Sequence, residues 1–479
     1  MQTRATSAQV ARHAAVDRLV SEVGPWTSGS GPRYRQLARA VAHGIDRGAL
    51  LVGWRLPSER VVAAALGISR GTAVAAYDLL VGDGLVERRR GSGTFVAGAP
   101  TAEPPPGREG TALVHQLVDA SSTSGGPVDL SLSVLADSTA LGSFTLTSSD
   151  LAGVDPETGY SPWGLAGLRD AIAAQVTRWG LPTVAGQVVV TTGAQQAITV
   201  AAACWVRPGD TVVVDDPTYP GAIAAFTQAG ARLVGVPVDE HGIMPGPLAE
   251  ALEAAPALVY LQPVVHSPTG VTTSEARRRR IAAIVAAARV PLVEDRALAD
   301  LAWGRAPPPI AAFEQEATSL VLGSIGKRFW GGLRVGFLRA AEPLALRAAR
   351  VKATQDLGSS AVSQVLAEQL LRTTGEDHRR ALTNELRHRY EVLAGELARS
   401  LPTWSWPEPT GGLSIWVRLP GTDAATFARA ARREGVVVAA PGPLTVSSGH
   451  RDRVRISFAA SPEALTNGVA RLATAWARR

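Results

Sequence analysis

Apolar positions follow two different patterns along the chain. Between residues 33 and 97, Leu37, Val41 and Ile45 recur at helical spacing, which predicts an amphipathic helix. From Val128 onward, short continuous apolar runs alternate with stretches of helical periodicity. Uninterrupted apolar strands separated by helices are typical of a parallel β-sheet that helices cover on both faces. The pattern therefore predicts a small helical head and a large α/β body.

Four apolar runs in the body predict parallel strands. They are VVVTT (188–192), TVVVDDP (211–217), ALVYLQP (257–263) and PLVEDRA (291–297). Ligands of such sheets bind beyond the carboxyl ends of the strands. We therefore expect five polar segments to meet in one region, namely TTGAQ, DDPTY, HSPTG, VEDRA and GSIGK.

The head has the pattern of two helices joined by a tight turn. Ser58 is expected to cap the first helix, Gly67 and Ile68 to form the turn, and Ser69 to cap a second helix that ends near Gly84. Two helices joined by such a short glycine turn form a helix-turn-helix. The following segment, LVERRRGSGTFVA, has two apolar runs around a glycine turn, which predicts a β-hairpin wing.

Basic residues are concentrated in this head. The chain has a net charge of +6 at pH 7, and residues 1–97 hold 13 Arg against seven acidic residues, whereas the remainder is balanced. A basic head on a neutral body indicates contact with a polyanion. Arg70, at the start of the second helix, is the best candidate for recognising guanine. We expect Arg88, Arg89 and Arg90 to contact phosphates or the minor groove, although such a run can also be a solvated surface.

Composition and domain boundaries narrow the class of protein. The only cysteine, Cys204, excludes an internal disulfide framework and a multi-cysteine metal site. No uncharged apolar run reaches 18 residues and no apolar signal core follows the N-terminus, so we expect a cytoplasmic protein without a membrane span and without bound metal. The predicted segments are an N-terminal tail (1–29), the head (30–98), a Pro/Gly/Ser-rich linker (99–127) and the body (128–479).

Lysine usage distinguishes one position in the body. Of the 48 basic residues, 46 are Arg, and Lys327 and Lys352 are the only lysines. We expect Lys352 to be a surface charge. Lys327 can form a Schiff base with an aldehyde, which Arg cannot do because a guanidinium stays charged and is a poor nucleophile.

Several other residues of the body fit pyridoxal phosphate. Backbone N–H groups of Gly193, Ala194 and Gln195, which follow a strand and open a helix, could hold a phosphate together with Ser324 and Arg334. A cofactor of this kind also needs a group for its ring nitrogen and one for its ring face.

Two residues could serve the ring. Asp295 ends a predicted strand, where a carboxylate would keep a pyridine nitrogen protonated, and Tyr219 could stack on the ring. Each feature alone is weak, because a glycine after a strand is usually a turn and a strand-ending Asp is often a cap. Their conjunction with Lys327 predicts a cofactor site.

The head resembles the winged helix-turn-helix of the GntR family of bacterial regulators. The matching segments are RLPSER, LGISRGTAVAAYDLL and GLVERRRGSGTFV, within roughly residues 30–98. Gly71 stands where the family more usually has Thr. The resemblance implies DNA contacts from Arg60, Ser69, Arg70, Thr72 and Gly91.

The body resembles the fold-type I aminotransferases over residues 128–479. The matching motifs are GYSPWGLAGLRDAIA, TTGAQQAI, DDPTYPG, HSPTG, VEDRALADL, SIGKRFWGGLRVGF and VRISF. A winged helix joined to such a body is the arrangement of the MocR subfamily of GntR regulators. The resemblance implies pyridoxal phosphate held on Lys327, an amino-acid carboxylate bound by Arg455, and a homodimer that reads two half-sites.

Two residues depart from the aminotransferase pattern. Ser267 stands where these enzymes usually have Asn, and Ala297 stands where many relatives have a Tyr after the Asp. In the family both of those residues contact the ring hydroxyl, so the departures concern catalytic tuning. His266 is adjacent and could substitute for the Asn, although a loop histidine is more often structural.

The expected function is a DNA-binding transcriptional regulator that senses pyridoxal phosphate, an amine or an amino acid. One alternative is a working aminotransferase tethered to DNA, against which the two departures argue mildly. The other is a repressor whose body has lost the cofactor and serves only for dimerisation. The retention of Lys327 in a chain with only two lysines argues against that alternative.

Overall fold

A computed structural model of the chain describes most of its residues in two compact units. The described residues are 26–28, 31–46, 50, 54–89, 93–97, 127–135, 141–155, 157–313 and 318–479, with a few single residues between 16 and 24. The units are Met1–Ala112 and Leu113–Arg479, so the division falls within the predicted linker. The boundaries of the tail and the linker stay predictions, because residues 98–126 lie outside the described residues.

In the described part of the head from residue 31 onward, three helices and a two-stranded sheet form the structure. The elements are α1 (Arg33–Asp46), α2 (Glu59–Leu66), α3 (Arg70–Gly82), β1 (Val86–Arg89) and β2 (Gly93–Val96). The two strands pair antiparallel, with Val86 opposite Val96. The predicted helix-turn-helix and wing are therefore confirmed.

Local chemistry explains the turn between α2 and α3. Gly67 ends α2 with φ +63°, a left-handed conformation that glycine adopts without strain. Ser69 caps α3 by accepting a hydrogen bond of 3.1 Å from the Thr72 amide. Ser58 stands at the start of α2 as predicted, but its side chain makes no capping hydrogen bond.

A small apolar core holds the head together. Leu37 and Val41 of α1 are buried against Tyr77 and Leu80 of α3. The Tyr77 hydroxyl donates a hydrogen bond of 2.8 Å to the Pro57 carbonyl, which fixes α3 to the start of α2.

An eight-stranded mixed sheet forms the centre of the body, in the order β4-β11-β10-β9-β8-β5-β6-β7. Its strands are β4 (Val188–Thr191), β5 (Thr211–Asp216), β6 (Arg232–Asp239), β7 (Gly242–Ile243), β8 (Leu258–Leu261), β9 (Leu292–Asp295), β10 (Leu320–Ser324) and β11 (Gly336–Arg339). The four predicted strands correspond to β4, β5, β8 and β9, and all four run in the same direction.

Strands β7 and β11 run against the others, so the expectation of a purely parallel sheet was incomplete. β11 pairs antiparallel with both β10 and β4. The chain returns from β10 to β11 directly through the loop that carries Lys327, without a crossover helix, and such a connection joins antiparallel strands.

Helices cover both faces of the sheet. Along β5, Val212 and Val214 are buried in one apolar cluster and Val213 in another, as expected when side chains alternate between two covered faces. The helices flanking the sheet are α4 (Ala166–Arg178), α5 (Ala194–Trp205), α6 (Pro220–Gln228), α7 (Pro245–Leu252), α8 (Glu275–Ala288), α9 (Glu342–Asp356) and α10 (Ala361–Thr373).

The C-terminal part of the body adds a smaller layer. Its elements are α11 (Glu376–Ser400), β12 (Ser414–Arg418), α12 (Ala424–Arg433), β13 (Val436–Val437), β14 (Arg453–Ser457) and α13 (Pro462–Ala477). The segment β3 (Val128–Asp129) pairs parallel with β13, so the first described residues of the body join this layer. Among the helices that the structure describes, none is long and apolar enough to cross a membrane.

Candidate cofactor and ligand site

A cavity of about 330 Å³ lies where the sequence predicted the polar segments to meet. Residues at the ends of β4, β9 and β10 line it, together with the segment 132–135, the start of β12 and Arg455 in the middle of β14. The polar lining side chains are Ser133, Gln195, Tyr219, Gln262, Ser267, Asp295, Ser324, Lys327, Arg334, Ser414 and Arg455.

One wall of the cavity is the N-terminus of α5. Gly193 precedes α5 with φ +81°, and no side chain caps the helix, so its first N–H groups have no intrahelical acceptor. Arg334 donates a hydrogen bond of 3.1 Å to the Thr192 carbonyl and lies beside Gly193. Ser324 lines the same wall. Uncapped amides, a hydroxyl and a guanidinium form a site suited to a phosphate.

Asp295 lies buried at the end of β9. Its carboxylate accepts hydrogen bonds from the Tyr260 hydroxyl (2.6 Å), the Gln262 amide nitrogen (3.2 Å) and the Ala297 backbone (2.8 Å). Burial raises the pKa of Asp295, and the hydrogen bonds oppose that rise. Because all three donors are neutral, the site can accept a cationic partner such as a protonated ring nitrogen.

Lys327 follows β10 and reaches the cavity from the loop before β11. Its Nζ donates a hydrogen bond of 2.6 Å to the Ser133 carbonyl. Burial, and then the positive charge of Arg455, lower the pKa of Lys327 to about 8, while Asp295 acts in the opposite direction. A lysine with this pKa has a substantial fraction of neutral, nucleophilic amine near neutral pH.

Arg455 lies on β14, with only 4% of its surface exposed. Its Nη2 donates a hydrogen bond of 2.6 Å to the Ser131 carbonyl, and its Nε has no hydrogen-bond partner. Burial lowers the pKa of Arg455 to about 10. A buried guanidinium with an unused donor can bind a carboxylate.

Unpartnered buried atoms of the lining test whether the cavity fits a polar ligand. Ser133 Oγ, Gln195 Oε1, Gln262 Oε1 and Arg455 Nε each lack a hydrogen-bond partner. A buried polar group without a partner is destabilising, so these atoms indicate a ligand with donors and acceptors. With the uncapped α5 and the neutral donors around Asp295, the lining fits pyridoxal phosphate.

The other predicted cofactor residues differ in position. Tyr219 and Ser267 line the cavity, and burial raises the pKa of Tyr219. The side-chain nitrogen of Gln195 donates a hydrogen bond of 2.9 Å to the Gly221 carbonyl. Ala297 and Leu298 present apolar atoms, so neither supplies a hydroxyl after Asp295.

His266 does not line the cavity. Its Nδ1 lies 2.8 Å from Thr269 Oγ1, and its Nε2 lies 3.3 Å from a carboxylate oxygen of Asp215. Asp215 in turn accepts a hydrogen bond from the Gln262 backbone. These contacts hold His266 outside the lining of the cavity. They give it the structural role that a loop histidine more often has.

Sequence reasoning missed three groups of lining or supporting residues. Tyr260 and Gln262 stand two positions apart at the end of β8 and both reach Asp295. Their alternation in ALVYLQP could have placed them on one face of the strand. The segment 131–135 and Ser414 have no comparable signal, because they reach the cavity only through the tertiary fold.

Lys352 is not the surface charge that the sequence suggested. It is fully buried on α9, and its Nζ donates a hydrogen bond of 2.8 Å to Asp356, one helical turn further along. The sequence alone does not show that a charged side chain on an Ala-rich helix faces inward.

The start of α3 carries the predicted base-reading residues. Arg70 at the start of α3 is exposed, and so is Arg60, the other predicted arginine contact, which lies on α2. The Ser69 and Thr72 hydroxyls lie 2.8 Å apart, so the two predicted DNA contacts also form the N-terminal cap of α3.

The wing arginines have partners within the head. Arg88 forms ion pairs with Asp78 of α3 (2.7 Å) and Glu59 of α2 (3.5 Å), and so ties the wing to both helices. Arg89 pairs with Glu87 and stacks over Phe95. The predicted DNA contacts of Arg90 and Gly91 lie outside the described residues.

Comparisons with known proteins agree with both parts of the chain. The family of aminotransferase class I and II matches residues 150–472, and the family of bacterial regulatory proteins named gntR matches residues 33–96. The chain belongs to the MocR subfamily of GntR regulators. It is a GntR-type transcriptional regulator with an aminotransferase-like domain, and the aminotransferase family to which that domain belongs is dependent on pyridoxal phosphate.

Relatives of the MocR-type chain cover nearly its whole length. The HTH-type regulator YisV of Bacillus subtilis is 30% identical, over 81% of this chain and 84% of the relative. The HTH-type regulator TauR of Rhodobacter capsulatus is 29% identical, over 93% and 97% respectively. Among solved structures, the α-aminoadipate aminotransferase LysN of Thermus thermophilus is 27% identical over 76% of this chain and 94% of that chain, with a TM-score of 0.67.

Proposed function

We propose that this MocR-type regulator holds pyridoxal phosphate on Lys327 and senses an amine or amino acid through the same cavity. The observation that carries the proposal is the convergence of Lys327, Asp295, Arg334 and the uncapped start of α5 on one cavity whose lining has unpartnered polar atoms. Arg455 supplies the site for a ligand carboxylate. The head binds operator DNA in the bacterial cytoplasm.

Each residue has a separate role in this proposal. Arg334 and the first amides of α5 bind the phosphate, and Asp295 holds a proton on the ring nitrogen. Lys327 supplies the neutral amine for covalent attachment, favoured by its lowered pKa. When bound, the cofactor contributes an aldehyde carbon that can be exchanged between Lys327 and the amine of a ligand.

Binding at this site changes the contacts of one short segment. The Ser131 and Ser133 carbonyls accept hydrogen bonds from Arg455 and Lys327. A carboxylate would compete with the Ser131 carbonyl for Arg455, and covalent attachment of an aldehyde to the neutral amine of Lys327 would remove that amine from the Ser133 carbonyl. A ligand regulates DNA binding only if it binds two conformations with different affinity, and release of this segment is the conformational difference we propose. We also propose a homodimer, whose two heads read two half-sites.

An absorption spectrum tests the cofactor proposal directly. The purified protein titrated with pyridoxal phosphate should develop a visible band, and Lys327→Ala should not, because only a primary amine attaches the aldehyde. Arg350→Met, a change at an exposed residue of α9, is the control and should keep the band. Colourless parent protein at saturating cofactor would leave the body as a dimerisation domain and end the search for an amine effector.

A second candidate function is transamination, and the lining of one cavity by Lys327, Asp295, Arg334 and Arg455 supports it. The apolar side chains of Ala297 and Leu298, and Ser267 in place of Asn, argue against efficient turnover. Incubation with an amino donor and a keto acid, followed by assay for the new amino acid, separates the two functions. Repeated turnover would establish an enzyme, and a spectral change without turnover would support a sensor.

A further inference from the structure

A series of part-buried hydrogen bonds runs from the second lysine to the candidate phosphate site. Lys352 Nζ donates to Asp356 Oδ1 at 2.8 Å, and the side-chain nitrogen of Gln196 donates to Asp356 Oδ2 at 2.8 Å. The side-chain oxygen of Gln196 accepts a hydrogen bond of 2.7 Å from the Thr192 amide. The series therefore connects a fully buried cation to the residue that precedes Gly193.

Thr192 is held from two sides. Its amide is bound by Gln196, while its carbonyl accepts the hydrogen bond of 3.1 Å from Arg334. Its hydroxyl lies 3.1 Å from the Ser359 hydroxyl, just beyond α9. A displacement of Thr192 would move both the first amides of α5 and the Arg334 guanidinium, which are the two groups that face the phosphate.

The charge of Lys352 strengthens this series of hydrogen bonds. Burial alone would raise the pKa of Asp356, but the hydrogen bonds from Lys352 and Gln196 lower that pKa, so the carboxylate stays charged and can accept both donors. Hydrogen bonds with a charged partner are stronger than neutral ones. Without Lys352 the carboxylate would lack its cation, and its hold on Gln196 would weaken.

The Lys352 side chain is fully covered, and its ammonium group donates to the Asp356 carboxylate. Of the two lysines in this Arg-rich chain, Lys327 lines the cavity, and Lys352 connects through Asp356 and Gln196 to Thr192 beside it.

We propose that Lys352, through Asp356 and Gln196, is a positioning residue that sets the geometry of the phosphate-binding wall. The inference rests on the proposed binding of pyridoxal phosphate. It assigns no contact between Lys352 and the cofactor, and it predicts an effect that depends on the phosphate group alone.

The test compares pyridoxal phosphate with pyridoxal, which lacks the phosphate, by absorption titration. Lys352→Met should lower the preference for the phosphorylated form roughly tenfold, the scale of one well-formed hydrogen bond, and leave the affinity for pyridoxal close to that of the parent. Arg350→Met, an exposed basic residue on the same helix, should keep the parent preference. A general loss of stability would weaken both ligands alike and so is distinguishable.

Gln196→Met breaks the same series without removing a buried charge, so it decides the matter if Lys352→Met does not fold. It should lower the phosphate preference to a similar extent. Folded variants that both keep the parent preference would overturn the proposal and leave Lys352 as a stabilising residue of α9. A parent protein that binds neither form would refute the cofactor proposal, and the positioning role would fall with it.

Discussion

The surroundings of Lys327 make its amine reactive through burial and a particular set of charges. Burial has the largest effect on its pKa, Arg455 and Arg334 lower it further, and Asp295 raises it. A buried amine loses the hydration that stabilises its charged form, so the neutral form gains. The folded pKa of about 8 lies below the ordinary value of 10.5, so the neutral amine accumulates as the pH rises through about 8.

Cofactor attachment should follow that titration. The rate at which the visible band appears should rise with pH, with a midpoint of about 8. Arg455→Gln removes a positive neighbour, so the midpoint should move to higher pH, while Asp295→Asn removes a negative one and should move it lower. Rates measured over a pH series give both midpoints. Shifts in the same direction for the two variants would contradict an electrostatic origin.

Single residues differed in how far the sequence revealed them. Lys327 and Asp295 were predicted because each carries a reactive or charged group beside a glycine-rich loop or at the end of an apolar strand, whereas Arg455 was predicted only from the resemblance to aminotransferases. Lys352 was interpreted wrongly, because its burial depends on how α9 packs. His266 lies outside the lining of the cavity, where it contacts Asp215 of β5. The sequence does not show this contact, because it depends on how the strands are arranged.

The elements of the head were predictable because their signals are local. The residue types at Gly67 and Ser69 predict a turn and a cap from the sequence alone. Gly67 ends α2 in a left-handed conformation, and Ser69 caps the start of α3. Strand β11 was not predicted, since four residues directly after a loop have no periodicity of their own. The ion pairs of Arg88 with Asp78 and Glu59 also depend on how the wing packs against the helices.

The recognition helix and the wing should contribute differently to DNA binding. Arg70→Ala should weaken binding to the specific operator by about 1–3 kcal/mol and relax base preference at one position, because the start of the second helix of a helix-turn-helix usually reaches base edges. Arg89→Ala should reduce the slope of log affinity against log salt by about 1, at all sequences alike. Anisotropy titrations with operator and scrambled DNA at several salt concentrations measure both.

A body variant completes this comparison. Arg280→Ala removes an exposed arginine from α8, outside the head, and should change neither the base preference nor the salt slope. An unchanged operator preference for Arg70→Ala would remove Arg70 from the base-reading set. An unchanged salt slope for Arg89→Ala would mean that its pairing with Glu87 and its stacking on Phe95 persist on DNA.

The order of the two modules was visible in the sequence, because the charge asymmetry and the change of periodicity coincide with the Pro-rich linker. The route by which the body could act on the head was not visible. The route that we propose depends on the segment 131–133, whose carbonyls accept hydrogen bonds from residues more than 190 positions away. No local sequence pattern indicates a contact between residues so far apart in the sequence.

This segment leads to the last prediction, which concerns the whole molecule. The segment follows β3, which comes directly after the predicted linker and pairs with β13, so a loss of the Arg455 and Lys327 contacts would loosen the first part of the body. Amide exchange in residues 128–133 should become faster when pyridoxal phosphate is attached to Lys327 and a carboxylate without an amine is present for Arg455, while α8 should stay unchanged. In Lys327→Ala the same additions should have a smaller effect.

Operator binding by the ligand-free Lys327→Ala protein should match the parent, because no residue of the head is altered. Equal loss of DNA binding and cofactor attachment in Lys327→Ala would contradict separate roles for the head and the body. Unchanged amide exchange in residues 128–133 would mean that the segment keeps its conformation when ligands bind.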